Sequence, residues 1–172
     1  MADAIAVHEA YRRGDLALLK AALGDPPDFP NVRNPPGLDA SCLECAIYHG
    51  PLAFIRTLLE LGAEPNYPDA AGFPSLIAAL STGRLDRLAI IELLLAYGAG
   101  IEQRGINDYT PLHYAAASDD AQAIELLLAH GADPAARTGI DACATPLEEA
   151  QMLGRRAAVQ ALERLAPPRP RR

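Results

Sequence analysis

No run of apolar residues in this chain approaches the roughly 20 needed to cross a bilayer. Its first residues, Met1-Ala2-Asp3-Ala4, lack the basic start and long apolar segment of a secretory signal. Both absences point to a cytoplasmic protein. Cysteine is scarce: Cys42, Cys45 and Cys143 are too few and too internal for a secreted disulfide scaffold, which agrees with a reducing compartment. Cationic charge is also short. Fifteen Lys and Arg face 22 Asp and Glu, a net charge of −7, whereas phosphate binding needs clustered cations on one face, so no nucleic-acid partner is expected. Lys20 is the single lysine; abundant Arg, Ala and Pro match the bias expected of a GC-rich, for instance bacterial, coding sequence and carry no information on function. Motifs of catalysis are missing too. There is no glycine-rich phosphate loop, no H-E-x-x-H and no G-x-S-x-G elbow. The acid pairs Asp119-Asp120 and Glu148-Glu149 fall at surface turn and helix positions. No enzymatic activity, cofactor or metal is expected.

What the chain does have is apolar content, half of its residues, in a length that fits one domain. The clearest pattern lies in Thr110 to Gly131, T-P-L-H-Y-A-A-A-S-D-D-A-Q-A-I-E-L-L-L-A-H-G. Thr110 can cap a helix and Pro111 is tolerated in its first turn. Leu112, Ala115 and Ala116 fall at helical spacing, Ser118 to Asp120 interrupt, and Ile124, Leu126, Leu127 and Leu128 resume before Gly131. Two short antiparallel helices result, too short to be stable alone, so the pair needs neighbours on both sides.

Those neighbours are copies of the same block. Its leucine recurs as Leu43, Leu76, Leu112 and Leu147, at spacings of 33, 36 and 35 residues. The copies read S-C-L-E-C-A, P-S-L-I-A-A, T-P-L-H-Y-A and T-P-L-E-E-A, and the closing motif recurs at Gly62-Ala63-Glu64, Gly98-Ala99-Gly100 and Gly131-Ala132-Asp133. This pattern resembles the ankyrin repeat. The resemblance implies an all-α solenoid of stacked helix-turn-helix units with β-hairpin loops. Its parts are an N-terminal capping helix pair at 4–23, a Pro-rich loop at 24–37, repeats at 38–68, 69–104, 105–137 and 140–165, and a Pro/Arg tail at 166–172.

Several local expectations follow. The loop Gly24 to Gly37 carries five prolines and is extended. It is read as an insertion packed on the first two repeats, the alternative being a binding arm with Phe29 and Val32 as contacts. Ser41 is a plausible cap. Cys42 and Cys45 are small half-buried residues rather than zinc ligands, because only His49 and Cys143 could complete a tetrahedral set. In the third copy Pro74-Ser75 replaces Thr-Pro, displacing the capping hydroxyl by one. That copy also has three extra residues between Gly83 and Ile90, which make either a longer second helix or a bulged loop. Asn107 and Asp108 tolerate the turn conformation the hairpin needs. The resemblance assigns His113 a structural role, hydrogen-bonding the backbone of the adjoining loop. The Pro/Arg tail is a candidate extended ligand but more simply a frayed end.

The function implied by the resemblance is binding of another protein, of unstated identity, by a monomer that uses the hairpins and the outer side of each first helix. Carried over, the contact positions are Leu38, Tyr48, His49, Phe73, Thr82, Ile106, Asn107, Tyr109, Tyr114, Ser118 and Met152, with Ala40, Ala70, Ala71, Ser81, Ala117, Asp141, Ala144 and Leu153 beside them. The set is poor in charge and holds four aromatic rings, which favours an apolar or aromatic partner segment. A toxin-neutralising or secreted effector protein using the same face, and an enzyme of unrecognised type, are the alternatives.

Overall fold

The structure is a computed structural model describing residues 4–32, 40–67, 72–139 and 143–165. Among these, ten α-helices run in five antiparallel pairs: α1 (Ala4–Arg13) with α2 (Leu16–Leu23), α3 (Cys42–His49) with α4 (Leu52–Glu60), α5 (Ser75–Ser81) with α6 (Arg87–Ala96), α7 (Pro111–Ala117) with α8 (Ala121–Ala129), and α9 (Pro146–Met152) with α10 (Arg156–Leu165). The first helices α1, α3, α5, α7 and α9 pack side by side in that order, and α4, α6, α8 and α10 form a second row behind them.

Side-chain caps start five of these helices. Asp15, Ser41, Thr110, Asp120 and Thr145 each accept a hydrogen bond from the backbone N–H three residues on, satisfying a donor the helix itself cannot. α4, α5 and α6 have no side-chain cap. In α5 Pro74 holds the cap position, and the displaced Ser75 hydroxyl is buried without a hydrogen-bond partner. The helix forms regardless, held by its packing: Leu76, Ile77, Ala78 and Ala79 are all 2% exposed or less.

The ruler leucines Leu43, Leu76 and Leu112 are buried, and Ala46, Ala79, Ala115 and Ala150 are fully enclosed where first helices approach closely. Leu147, in the last described pair, is half-buried. Behind them Ile55, Leu58, Ile90, Leu94, Ile124, Leu127 and Leu162 close the second row. The extra residues of the third copy form a loop: α6 begins at Arg87, and Arg84 to Asp86 bulge ahead of it. Arg84 pins this bulge. Its guanidinium donates to the carbonyls of Ile47 (3.1 Å) and Gly50 (2.5 Å) in the preceding pair and to both oxygens of Asp86. Arg87 reaches the other way, to both oxygens of Asp120 at 2.8 and 2.9 Å.

The described part of the Pro-rich segment packs locally. Lys20 sits over the Phe29 ring, and the Asn31 amide donates to Gly62 and accepts from the N–H of Glu64. Residues 33–39 lie outside the described structure, as does the Pro/Arg tail.

Candidate protein-binding face

The expected contact positions define a strip along the tips between pairs and the first helices, of which 33–39, 68–71 and 140–142 lie outside the described residues. Its third tip is a 3-10 turn, Ile106–Asp108, closed by the Gly105 N–H on the Tyr109 carbonyl at 2.9 Å. Asn107 and Asp108 both hold φ of +57°, which these residue types tolerate better than most. Among the described residues there is no extended strand. Neighbouring tips touch: Ile106 N–H donates to the Gly72 carbonyl at 2.7 Å. A Cβ on Gly105 would come within 2.3 Å of that carbonyl oxygen, so glycine is required for the approach.

Tyr109 leads from the tip into α7. Its ring stacks on His113 at 5.7 Å between centroids, and its hydroxyl donates to Glu149 Oε1 of α9 at 2.5 Å. His113 is fully buried. Its Nε2 meets the Ala144 carbonyl at 3.0 Å, which places the proton there and leaves Nδ1 to accept from the Thr110 hydroxyl at 2.8 Å. Burial, partly offset by the Ala144 bond, holds this imidazole below its usual range, and the neutral ring suits both contacts. The role is structural, tying the third and fourth loops to one helix. Asp108 completes the tip by accepting from Arg104 Nη1 at 2.7 Å and from the Gly139 N–H.

The expected contact residues fall into three groups. His49, Ile106, Asn107, Ser118 and Met152 are exposed, as is Leu153. Tyr48, Phe73, Tyr109 and Tyr114 are half-buried, each ring lending one side to the stack. Tyr48 bridges two pairs, its hydroxyl 3.0 Å from Ser81 Oγ, and the His49 ring meets His8 of α1 edge-on at 4.9 Å. Thr82 is different: it is buried and its hydroxyl is spent on the Ala79 carbonyl at 2.8 Å, so it is not presented outward. Ala144 is likewise buried beneath His113. Leu38, Ala70, Ala71 and Asp141 lie outside the described residues. Glu149 lies against Tyr109, where the sequence suggests a plain surface acid; its place in T-P-L-E-E-A matches Tyr114 in T-P-L-H-Y-A, which is the signal for it.

Chemistry beyond surface recognition finds little to work with. Cys42 and Cys45 are buried against the Tyr11 hydroxyl, and burial pushes the Cys45 thiol up to about 12, far from a reactive thiolate. Among the described residues no three His, Cys, Asp or Glu side chains are grouped to hold a metal. A cleft of about 490 Å³ opens between the third and fourth pairs, lined by Leu80, Thr82, Gly83, Arg87 and residues 118–122. Asp120 is paired in place: burial raises it, but the Arg87 pair and the helix N–H groups outweigh that and hold it below the carboxylate range.

The family described as "Ankyrin repeats (3 copies)" matches residues 43–138 and 76–164. The chain belongs to the ankyrin-repeat family. Ankyrin arrays are protein-interaction modules, and the helix pairs and tips described above are their units. Similar curated proteins include a putative E3 ubiquitin-protein ligase XBAT35 of Arabidopsis thaliana, 32% identical over 69% of this chain and 25% of that protein. An intracellular phospholipase A2 of Caenorhabditis elegans is 29% identical over 69% of this chain and 11% of its own length. The palmitoyltransferase Hip14 of Drosophila melanogaster is 37% identical over 54% of this chain and 14% of its own length. The chain thus spans a quarter or less of these relatives. Among the described residues no helix is long and apolar enough to cross a membrane.

Proposed function

We propose that this ankyrin array is a non-enzymatic binding module that holds another protein on the strip formed by its tips and first helices, and that it acts as a monomer in the cytoplasm. The observation that carries this reading is the continuity of the strip. His8 meets His49, Tyr48 meets Ser81, Gly72 meets Ile106 and Tyr109 meets Glu149, so every pair of the stack is tied to the next along one surface. A surface fixed in this way binds with little further ordering, which removes a cost that flexible sites carry. Half-exposed rings at Tyr48, Phe73, Tyr109 and Tyr114 supply the large, stiff side chains that anchor interfaces. Three unpaired cysteines suit a reducing compartment. The activities in the relatives' names are not transferred, since each match covers a small part of a longer protein.

The test is affinity capture from lysate with the wild type and an Ile106→Ser/Met152→Ser variant, both exposed positions whose substitution leaves the core intact. A partner held by the wild type and released by the variant supports the strip as the binding surface. A partner held equally by both would place binding elsewhere on the array.

A further inference from the structure

The strip is poor in charge along most of its length, and the exception lies where Tyr109 meets α9. The charges that reach His113 there are Arg104, Asp108 and Glu149, one cation against two anions. Arg104 is occupied by Asp108, through its carboxylate and its carbonyl. The next cation, Arg137, is occupied by both oxygens of Glu148 and by the Cys143 carbonyl. That leaves Glu149. It is half-buried, takes the Tyr109 hydroxyl on Oε1, and among the described residues accepts nothing on Oε2. A carboxylate held in place by a tyrosine, partly out of water and with Arg104 and Arg137 already paired, is an acceptor for a cation. The chain as a whole, at −7, adds to that preference.

We infer that the partner segment presents an Arg or Lys side chain to Glu149, beside the Tyr109 ring. This rests on the reading of the strip as the binding surface and names the chemistry its partner brings: an otherwise apolar segment with one cationic side chain in register with α9. Tyr109 fixes the carboxylate by donating to one oxygen, so the other is presented without the rotamer cost of ordering a free glutamate.

The experiment selects binders from a random dodecapeptide mRNA-display library on three baits: wild type, Glu149→Gln and Ile106→Ser. Gln keeps an acceptor for the Tyr109 hydroxyl while removing the charge. Wild-type pools enriched in Arg or Lys at one position, with that enrichment lost on Glu149→Gln, are the expected result. The best wild-type peptide should bind Glu149→Gln about tenfold more weakly, and its own Arg→Gln version should lose a similar factor. The two losses should not compound when combined. An Arg and Lys frequency no higher than in the input library, equal binding to Glu149→Gln, or losses that simply multiply would each overturn the inference. Peptides lacking a cation that are lost on Ile106→Ser would leave the strip as the binding surface while removing Glu149 from it. Peptides that bind both Glu149→Gln and Ile106→Ser as well as wild type would count against the strip itself. Dimerisation of the wild type that Glu149→Gln abolishes, read by sedimentation, would assign the carboxylate to a second copy and overturn the proposal.

Discussion

Asn66 closes both ends of its amide on the following repeat, donating to the Gly98 carbonyl at 2.9 Å and accepting from the Gly100 N–H at 2.7 Å. Asn31 does the same one repeat earlier, to Gly62 and Glu64. Glu102 occupies the third place and can only accept, from the Asp133 N–H at 2.8 Å. The ladder needs a side chain that is donor and acceptor at once. Asn66→Asp, which cannot donate, should lose about 1 kcal/mol, and Asn66→Ala, which loses both bonds, about 2 kcal/mol. Glu102→Asn should be neutral or stabilising. Urea unfolding followed by circular dichroism reads all three; an Asn66→Ala protein as stable as wild type would show that these bonds add nothing over water.

How much of this could be read without coordinates divides by mechanism. The leucines at 43, 76 and 112 and the caps at Ser41 and Thr110 follow from periodicity and side-chain chemistry, and the structure places them as read. The asparagine ladder was hidden. Asn31 follows Gly24 by seven residues where Asn66 follows Gly62 by four, and three inserted residues, rich in proline, mask the register. Thr82 looked like a contact position because its neighbours in the pattern are outward, but a hydroxyl one residue past a short helix finds the Ala79 carbonyl and turns inward. Glu149 was overlooked because its importance comes from Tyr109, forty residues away in sequence.

The bulge ahead of α6 offers a contrast within three residues. Arg84 satisfies two carbonyls at the end of α3 and its following turn, while Leu85 beside it is fully exposed. Arg84→Ala should cost about 1–3 kcal/mol by stripping those carbonyls of a charged donor. Leu85→Ser should fall within about 0.5 kcal/mol of wild type. For a chain of this size each kcal/mol is about 2–4 °C in the thermal midpoint, so calorimetry separates them. Equal midpoints for the two variants would refute the clasp.

Ser75 carries a buried hydroxyl without a partner, one residue inside the helix it would have capped. Removing an unsatisfied buried group relieves its desolvation cost, so Ser75→Ala should be neutral or stabilising by up to about 1 kcal/mol. At Thr110, where the hydroxyl does cap, the same change should cost about 1 kcal/mol. A destabilised Ser75→Ala would mean that the hydroxyl has a partner in solution, for instance a buried water, and a raised urea midpoint would identify a site at which the array is below its best stability.

His113 makes stability depend on pH in one direction. Burial depresses its folded-state pKa, so in the window between that value and the ordinary imidazole value of about 6.5 the unfolded chain binds a proton that the folded chain does not. Its contribution is therefore complete above about pH 6.5 and is lost as the pH falls, because protonating Nδ1 would turn the acceptor of the Thr110 hydroxyl into a second donor. His49, lowered by partial burial and by His8, adds a slope of the same sign, but it is exposed and screened. Unfolding free energy measured from pH 7.5 to 5.5 should fall in the wild type. In His113→Gln, which cannot titrate, the curve should start lower and run flatter, keeping only the His49 part. Parallel curves would show that the buried imidazole is not the group that responds.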